Sequence, residues 1–255
     1  MRYAGAALCG LLLAIVLAPS GAAGPKVTVR SGWPCDGCIV EVPGGSKPGR
    51  PTAVLVLLHG DEGAPSEIAG MIGPPALARN VIVFAPQCPA ALGCRQLLGS
   101  GGYTSSWWGW LQSSQSYSDA WLGRQIALVE SAYAVDGRST YLIGWSGGAD
   151  YMGWYALQHS AEFAGAAFVA GGVPYHPSCP STRLAGYFLF GSADPRYQTG
   201  QPATISSILA RCGDAVKTVV IPGADHVGTM MALSQRGYAA KILAWLLAHH
   251  PARSG

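Results

Sequence analysis

The chain has 255 residues, of which 49% are apolar and only 11% are Asp, Glu, Lys or Arg, against roughly 25% charged in an ordinary soluble domain. Sixteen basic and thirteen acidic residues give a net charge of +3; they are scattered singly, so no footprint for nucleic acid is visible. The length suits one domain able to bury a large core without metal.

The first residues read as an export signal. Arg2 precedes an uncharged stretch from Ala4 to Ala18, and the small residues Gly21, Ala22 and Ala23 follow, which predicts cleavage after Ala23. A membrane anchor would need about 20 apolar residues, and Pro19 ends the run earlier. The expectation is a signal at 1–23, one domain over 24–255, a secreted or periplasmic location, and no membrane attachment after cleavage.

Beyond the signal lie Cys35, Cys38, Cys88, Cys94, Cys179 and Cys212, an even set that predicts disulfides in an exported chain. Sequence does not strictly choose the pairing. Cys35 with Cys38 and Cys88 with Cys94 would each close a short loop, leaving Cys179 for Cys212. A redox or zinc motif is the rival for Cys35-Asp36-Gly37-Cys38. However, Asp-Gly between Val27–Val29 and Ile39–Val42 reads as the tip of an antiparallel hairpin, and no second Cys/His pair stands at ligand spacing.

Next come almost wholly apolar runs of strand length: Ala53–Leu58, Val81–Ala85, Tyr141–Gly144, Ala166–Ala170, Gly186–Phe190 and Val216–Ile221. Strands of this kind are covered on both faces, as in a parallel sheet between helical layers. Helical patterns at Ser66–Arg79, Ser118–Tyr133, Gly147–His159 and Ile205–Cys212 alternate with them, and Met230–His249 reads as one terminal helix. The alternation predicts a single α/β domain. The segment between Ala170 and Gly186 is too short for a large lid, so an open site is expected.

The chemistry centres on Gly144-Trp145-Ser146-Gly147-Gly148, which joins a buried strand directly to a helix. A serine raised on so sharp a turn needs small neighbours on either side. It also needs a base to take its proton and a carboxylate to orient that base. Of six histidines, His159, His249 and His250 sit at helix ends, His176 reads as a surface-loop residue, and His59 opens a His-Gly turn. His226 remains, just after the strand Val216–Ile221, in a loop able to swing toward the serine. Asp194 follows a strand at the carboxyl edge, where open α/β sheets collect functional groups. Asp225 reads as a turn residue and Asp150 as support for the helix after the serine. The oxyanion of a tetrahedral intermediate needs hydrogen-bond donors, typically two backbone N–H groups. The candidates are Gly147 and Asp61, with the reservation that carboxylates at Asp61 and Glu62 would oppose the charge unless turned away; they could equally serve the dipole of the next helix.

These residues resemble the α/β-hydrolase superfamily, and within it a secreted esterase branch including feruloyl esterases, polyhydroxyalkanoate-depolymerase-like and dienelactone-hydrolase-like proteins. The likeness spans about 52–250 and rests on Leu58-His59-Gly60, Ala132-Tyr133-Ala134-Val135-Asp136, the serine pentapeptide, Phe190-Gly191-Ser192-Ala193-Asp194 and Gly223-Ala224-Asp225-His226. It implies an α/β-hydrolase fold and hydrolysis of a small-molecule or polymer ester through an acyl-enzyme, with neither metal nor organic cofactor. Ser146 would be nucleophile, His226 base and then acid, and Asp194 orienter. The acidic pair after His59-Gly60 departs from that pattern. The same groups would also suit a serine peptidase or amidase, and an inherited elbow could sit in a noncatalytic binding protein.

Between Ala85 and a helix expected near Ser118 lie Tyr103, Trp107, Trp108, Trp110 and Tyr117, with Trp121 beyond. Three tryptophans in four residues do not suit one helical or strand face, so Trp107, Trp108 and Trp110, with Trp145, are candidates to line a substrate cleft. The alternative is that Trp108, Trp110 and Trp121 complete the core.

Overall fold

The structure, a computed structural model, describes residues 26–46, 52–97, 103–133, 135, 139–174 and 178–249. The signal segment 1–23, with the cleavage site, lies outside them, as do Asp136, His176 and His250.

β1 (Val27–Ser31) and β2 (Ile39–Pro43) form the expected antiparallel hairpin, with Val29 opposite Glu41. Its tip carries the Cys35–Cys38 disulfide. β3 (Val54–Leu58), α1 (Pro65–Leu77) and β4 (Ile82–Ala85) follow. A small hairpin of β5 (Arg95–Leu97) and β6 (Tyr103–Ser105) then leads into α2 (Trp107–Tyr133). Next come β7 (Thr140–Trp145), α3 (Gly147–Gln158), β8 (Gly165–Val169) and β9 (Ala185–Gly191). The chain closes through α4 (Pro195–Gln198), α5 (Gln201–Arg211), β10 (Val216–Ile221), α6 (His226–Gln235) and α7 (Tyr238–Ala248).

Eight strands make one sheet in the order β1-β2-β4-β3-β7-β8-β9-β10. It is parallel from β4 through β10, and β1 and β2 add an antiparallel edge. The two faces follow from the two-residue period of a strand. In Val54-Leu55-Val56-Leu57-Leu58, the residues Val54, Val56 and Leu58 face a core shared with α2, α3 and α5. Leu55 and Leu57 face the second core, under α1, α6 and α7. β3 is buried throughout, which is why it reads as an unbroken apolar run.

Three expectations change. β10 is not covered on both faces: it is the sheet's edge, and of its residues only Ile221 is buried. The single terminal helix is two helices, broken where Gly237 takes φ 67°. The helix expected from Ser118 begins at Trp107. Ser106 starts it, its hydroxyl accepting the Gly109 N–H at 3.0 Å and its carbonyl the Trp110 N–H at 2.9 Å, as an N-terminal serine does.

That earlier start changes the reading of the tryptophans. In a helix, positions three apart share a face and fourteen is nearly four turns, so Trp107, Trp110 and Trp121 lie together. Their rings are 5.9–6.3 Å apart, and Trp107 also packs 5.6 Å from Tyr151 of α3. Trp107 is 0% exposed and Trp110 2%, so neither offers a surface to substrate: both are core residues. The side chains of Trp108, Tyr103 and Tyr117 lie outside the described residues.

The remaining disulfides are Cys88–Cys94 and Cys179–Cys212. Between β8 and β9 the described residues contain no helix.

Candidate active site

Ser146 occupies the single residue between β7 and α3, with φ 50° and ψ −116°. Such a conformation is costly for a residue with a side chain and persists only where the surroundings impose it. Here they do so by close packing. A Cβ on Gly144 would come within 2.7 Å of Ala149 N, and one on Gly148 within 2.6 Å of the His59 carbonyl. Only glycine lets the turn close that tightly.

The elbow lifts the serine hydroxyl to His226, whose Nε2 lies 2.9 Å from Ser146 Oγ. The other ring nitrogen, Nδ1, is 2.7 Å from Asp194 Oδ2. A proton on Nδ1 is held by that carboxylate, which leaves Nε2 as an acceptor facing the serine. Ser146 is 8% exposed and Asp194 fully buried, while about a third of the His226 side chain faces solvent.

His226 is not on a flexible loop, as expected, but is the first residue of α6. Asp225 caps that helix by accepting the Gly228 N–H at 2.7 Å, which agrees with its reading as a turn residue. Asp194 likewise caps α4: Oδ1 accepts the Arg196 N–H at 2.9 Å while Oδ2 faces His226. Each carboxylate oxygen therefore has its own partner, and the buried charge is satisfied on both sides.

Arg196 was not anticipated. Its guanidinium donates to Asp150 Oδ2 at 2.6 Å, and Asp150 Oδ1 accepts the Gly172 N–H at 2.7 Å. Asp150 is 4% exposed. Burial pushes its carboxyl above the ordinary aspartate value, with Arg196 and the Gly172 N–H acting against that. This ion pair ties the turn that carries Asp194 to the helix that follows Ser146. The sequence marks only the helix start, since Asp before Pro favours one at Asp194-Pro195; it does not mark Arg196 itself.

On the other flank, Gly60 through Gly63 form a turn closed by Gly63 N–H to Gly60 O at 3.1 Å. His59 fixes its entry. Nδ1 donates to Gly60 O at 2.7 Å, so Nε2 is an acceptor, taking the Cys88 N–H at 3.2 Å and the Gln87 amide at 3.3 Å. The Asp61 carboxylate lies against Gly147, where a Cβ would collide with it. Burial raises its carboxyl above the usual aspartate value, while a hydrogen bond from Ser106 pulls the other way. The Asp61 side chain thus does not point away from the serine turn. Gly147 N–H belongs to the first turn of α3, where helical N–H groups have no partner within the helix.

Trp145 is 9% exposed, and its ring centroid lies 4.5 Å from that of His226. With Ile68, Met71, Met230 and Glu67 it borders a crevice of about 10 Å³, roughly the room one water needs.

No family model matches the chain, and no curated protein matches it by sequence. Solved structures do match. A thermostable esterase superposes with TM-score 0.60 at 18% identity, over 89% of this chain and 63% of its own, so this chain spans under two thirds of that protein. A carboxylesterase from Bacillus cereus gives TM-score 0.56 at 16% identity, over 89% and 95%. An S-formylglutathione hydrolase from Staphylococcus aureus gives 0.63 at 14%, over 91% and 100%. At such identities the likeness speaks to fold. Strand order, the serine elbow between β7 and α3, and these superpositions together show that the chain has the α/β-hydrolase fold.

Proposed function

We propose that this protein is a serine ester hydrolase acting through an acyl-enzyme on carboxylic esters. The observation that carries the reading is the unbroken chain of contacts Ser146 Oγ, His226 Nε2, His226 Nδ1, Asp194 Oδ2, at 2.9 and 2.7 Å. His226 takes the serine proton as Oγ attacks the ester carbonyl, and Asp194 stabilises the imidazolium that forms. The imidazolium then protonates the departing alcohol, and water repeats the sequence on the acyl-enzyme. Gly147 N–H and Asp61 N–H are assigned to the oxyanion.

The finer placement in a feruloyl-esterase, depolymerase or dienelactone-hydrolase branch rests on the resemblance alone. Export to the periplasm or medium is part of the proposal and is supported by the leader pattern and the three disulfides. Among the described residues no helix is long and apolar enough to cross a membrane.

The test is turnover of short p-nitrophenyl esters and matched anilides by the wild type and Ser146→Ala. The expected result is ester cleavage well above amide cleavage, and a fall in kcat of at least about a thousandfold in the variant. Comparable amide cleavage would move the assignment to a peptidase or amidase. Unchanged turnover in Ser146→Ala would end it.

A further inference from the structure

We infer that the Cys88–Cys94 disulfide loop is the positioning element of the oxyanion hole, acting through the turn that carries Asp61 N–H. The inference rests on the serine-hydrolase reading of the site and assigns this loop a role within it.

The turn at 60–63 is not held by its own Gly63 to Gly60 hydrogen bond alone. Glu62 sits at φ 61°, a left-handed conformation that is uphill for a residue with a side chain and needs outside support. Three attachments supply it, and all come from one stretch of chain. Cys88 N–H donates to His59 Nε2 at 3.2 Å, Ser105 O accepts the Glu62 N–H at 2.9 Å, and the Ser106 hydroxyl hydrogen-bonds the Asp61 carboxylate.

These anchors are 17 residues apart in sequence, and the disulfide brings them together. Cys88 is the first anchor and is bonded to Cys94. Cys94 O accepts the Ser106 N–H at 3.2 Å, and the β5-β6 hairpin pairs Arg95 with Ser105. Cys88 and Cys94 are 0% and 3% exposed, so the brace is packed into the wall of the fold. Breaking the bond leaves the 88 anchor and the 105–106 anchors joined by backbone hydrogen bonds alone, Cys94 N–H to Pro89 O at 3.0 Å, Ser106 N–H to Cys94 O and those of the hairpin, and the donor at Asp61 is then freer to drift. An oxyanion donor works only when held at its site in advance.

The Cys179–Cys212 disulfide is the internal control. It joins the segment before β9 to the end of α5 and makes no bond to the 60–63 turn.

The experiment compares Cys88→Ala/Cys94→Ala with Cys179→Ala/Cys212→Ala, both measured well below their melting temperatures. The first pair is expected to lose about tenfold to a hundredfold in kcat, a part of what removing a whole donor costs, with KM within about threefold. A boronic acid, which forms a tetrahedral adduct on the serine, should lose affinity in parallel with kcat. The second pair should lose melting temperature and keep kcat within about twofold.

Should the first pair fail to fold, Ser106→Ala and Ser106→Thr carry the test: the alanine is expected to lower kcat and weaken the boronate, and the threonine, which keeps the hydroxyl, to restore both. The proposal is overturned if the variants of the 88–106 stretch keep kcat and boronate affinity, or if both disulfide pairs lose kcat equally. That failure is distinct from failure of the serine-hydrolase reading, in which Ser146→Ala itself stays active.

Discussion

The serine site and the tryptophan cluster at the start of α2 are both dense groupings of rare residues in a chain poor in charge, yet they do opposite things. At the carboxyl edge of β7 and β9, each polar group meets a specific partner: Ser146 to His226, His226 to Asp194, Asp194 to the Arg196 backbone, Arg196 to Asp150. In the cluster, Trp107, Trp110 and Trp121 meet one another and Tyr151. A buried charge is tolerable only with a specific partner, so its position carries information about chemistry. An aromatic ring is stabilised by any apolar wall, so its abundance says only that something large is being filled. The lesson is to weigh a rare polar residue as a site and a run of rings as packing until spacing decides.

That contrast can be broken by substitution. The largest effect is expected at Asp194→Asn, which keeps the shape but leaves His226 free to take the wrong tautomer; kcat should fall by about 10⁴-fold with the melting temperature little changed. Retained activity would place the orienting carboxylate elsewhere.

Trp107→Ala should act in the opposite sense. It should cost about 3–5 kcal/mol of stability by opening a cavity, read by denaturant unfolding, while the folded fraction keeps its KM. A rise in KM without loss of stability would return the cluster to the substrate side.

The smallest effect is expected at Asp61. Its carboxyl is raised above the ordinary value by burial, so it loses its charge as pH falls through that raised value and carries it above. Charged, it opposes an oxyanion at Gly147. Asp61→Asn should therefore raise kcat/KM for neutral esters about threefold to tenfold above that pH, and the gain should vanish below it, where the wild-type side chain is neutral too. A gain independent of pH would rule out the electrostatic account.

How much was legible follows the same division. The elbow could be read because strand, glycines and helix are contiguous in sequence, and Asp194 and His226 because each follows closely on a recognisable strand, β9 and β10. The hairpin tip showed itself through Asp36-Gly37. The start of α2 was hidden because three tryptophans in four residues masked the helical pair Trp107 and Trp110, although Ser106 was a fair start signal. The break at Gly237 leaves no mark in the apolar spacing, which runs on across it. Arg196 could not be found by motif, since its importance lies in reaching Asp150, 46 residues earlier. Likewise, the cysteine count implied disulfides but not that one of them braces the turn facing the serine.

The central claim is that Ser146 is a nucleophile activated by His226, and the most direct measurement is covalent labelling of the folded protein with a fluorophosphonate, with the modified residue located by mass spectrometry. One adduct is expected, on Ser146, lost in Ser146→Ala and formed far more slowly in His226→Ala. Labelling at another serine, or none in a protein that cleaves esters, would contradict it.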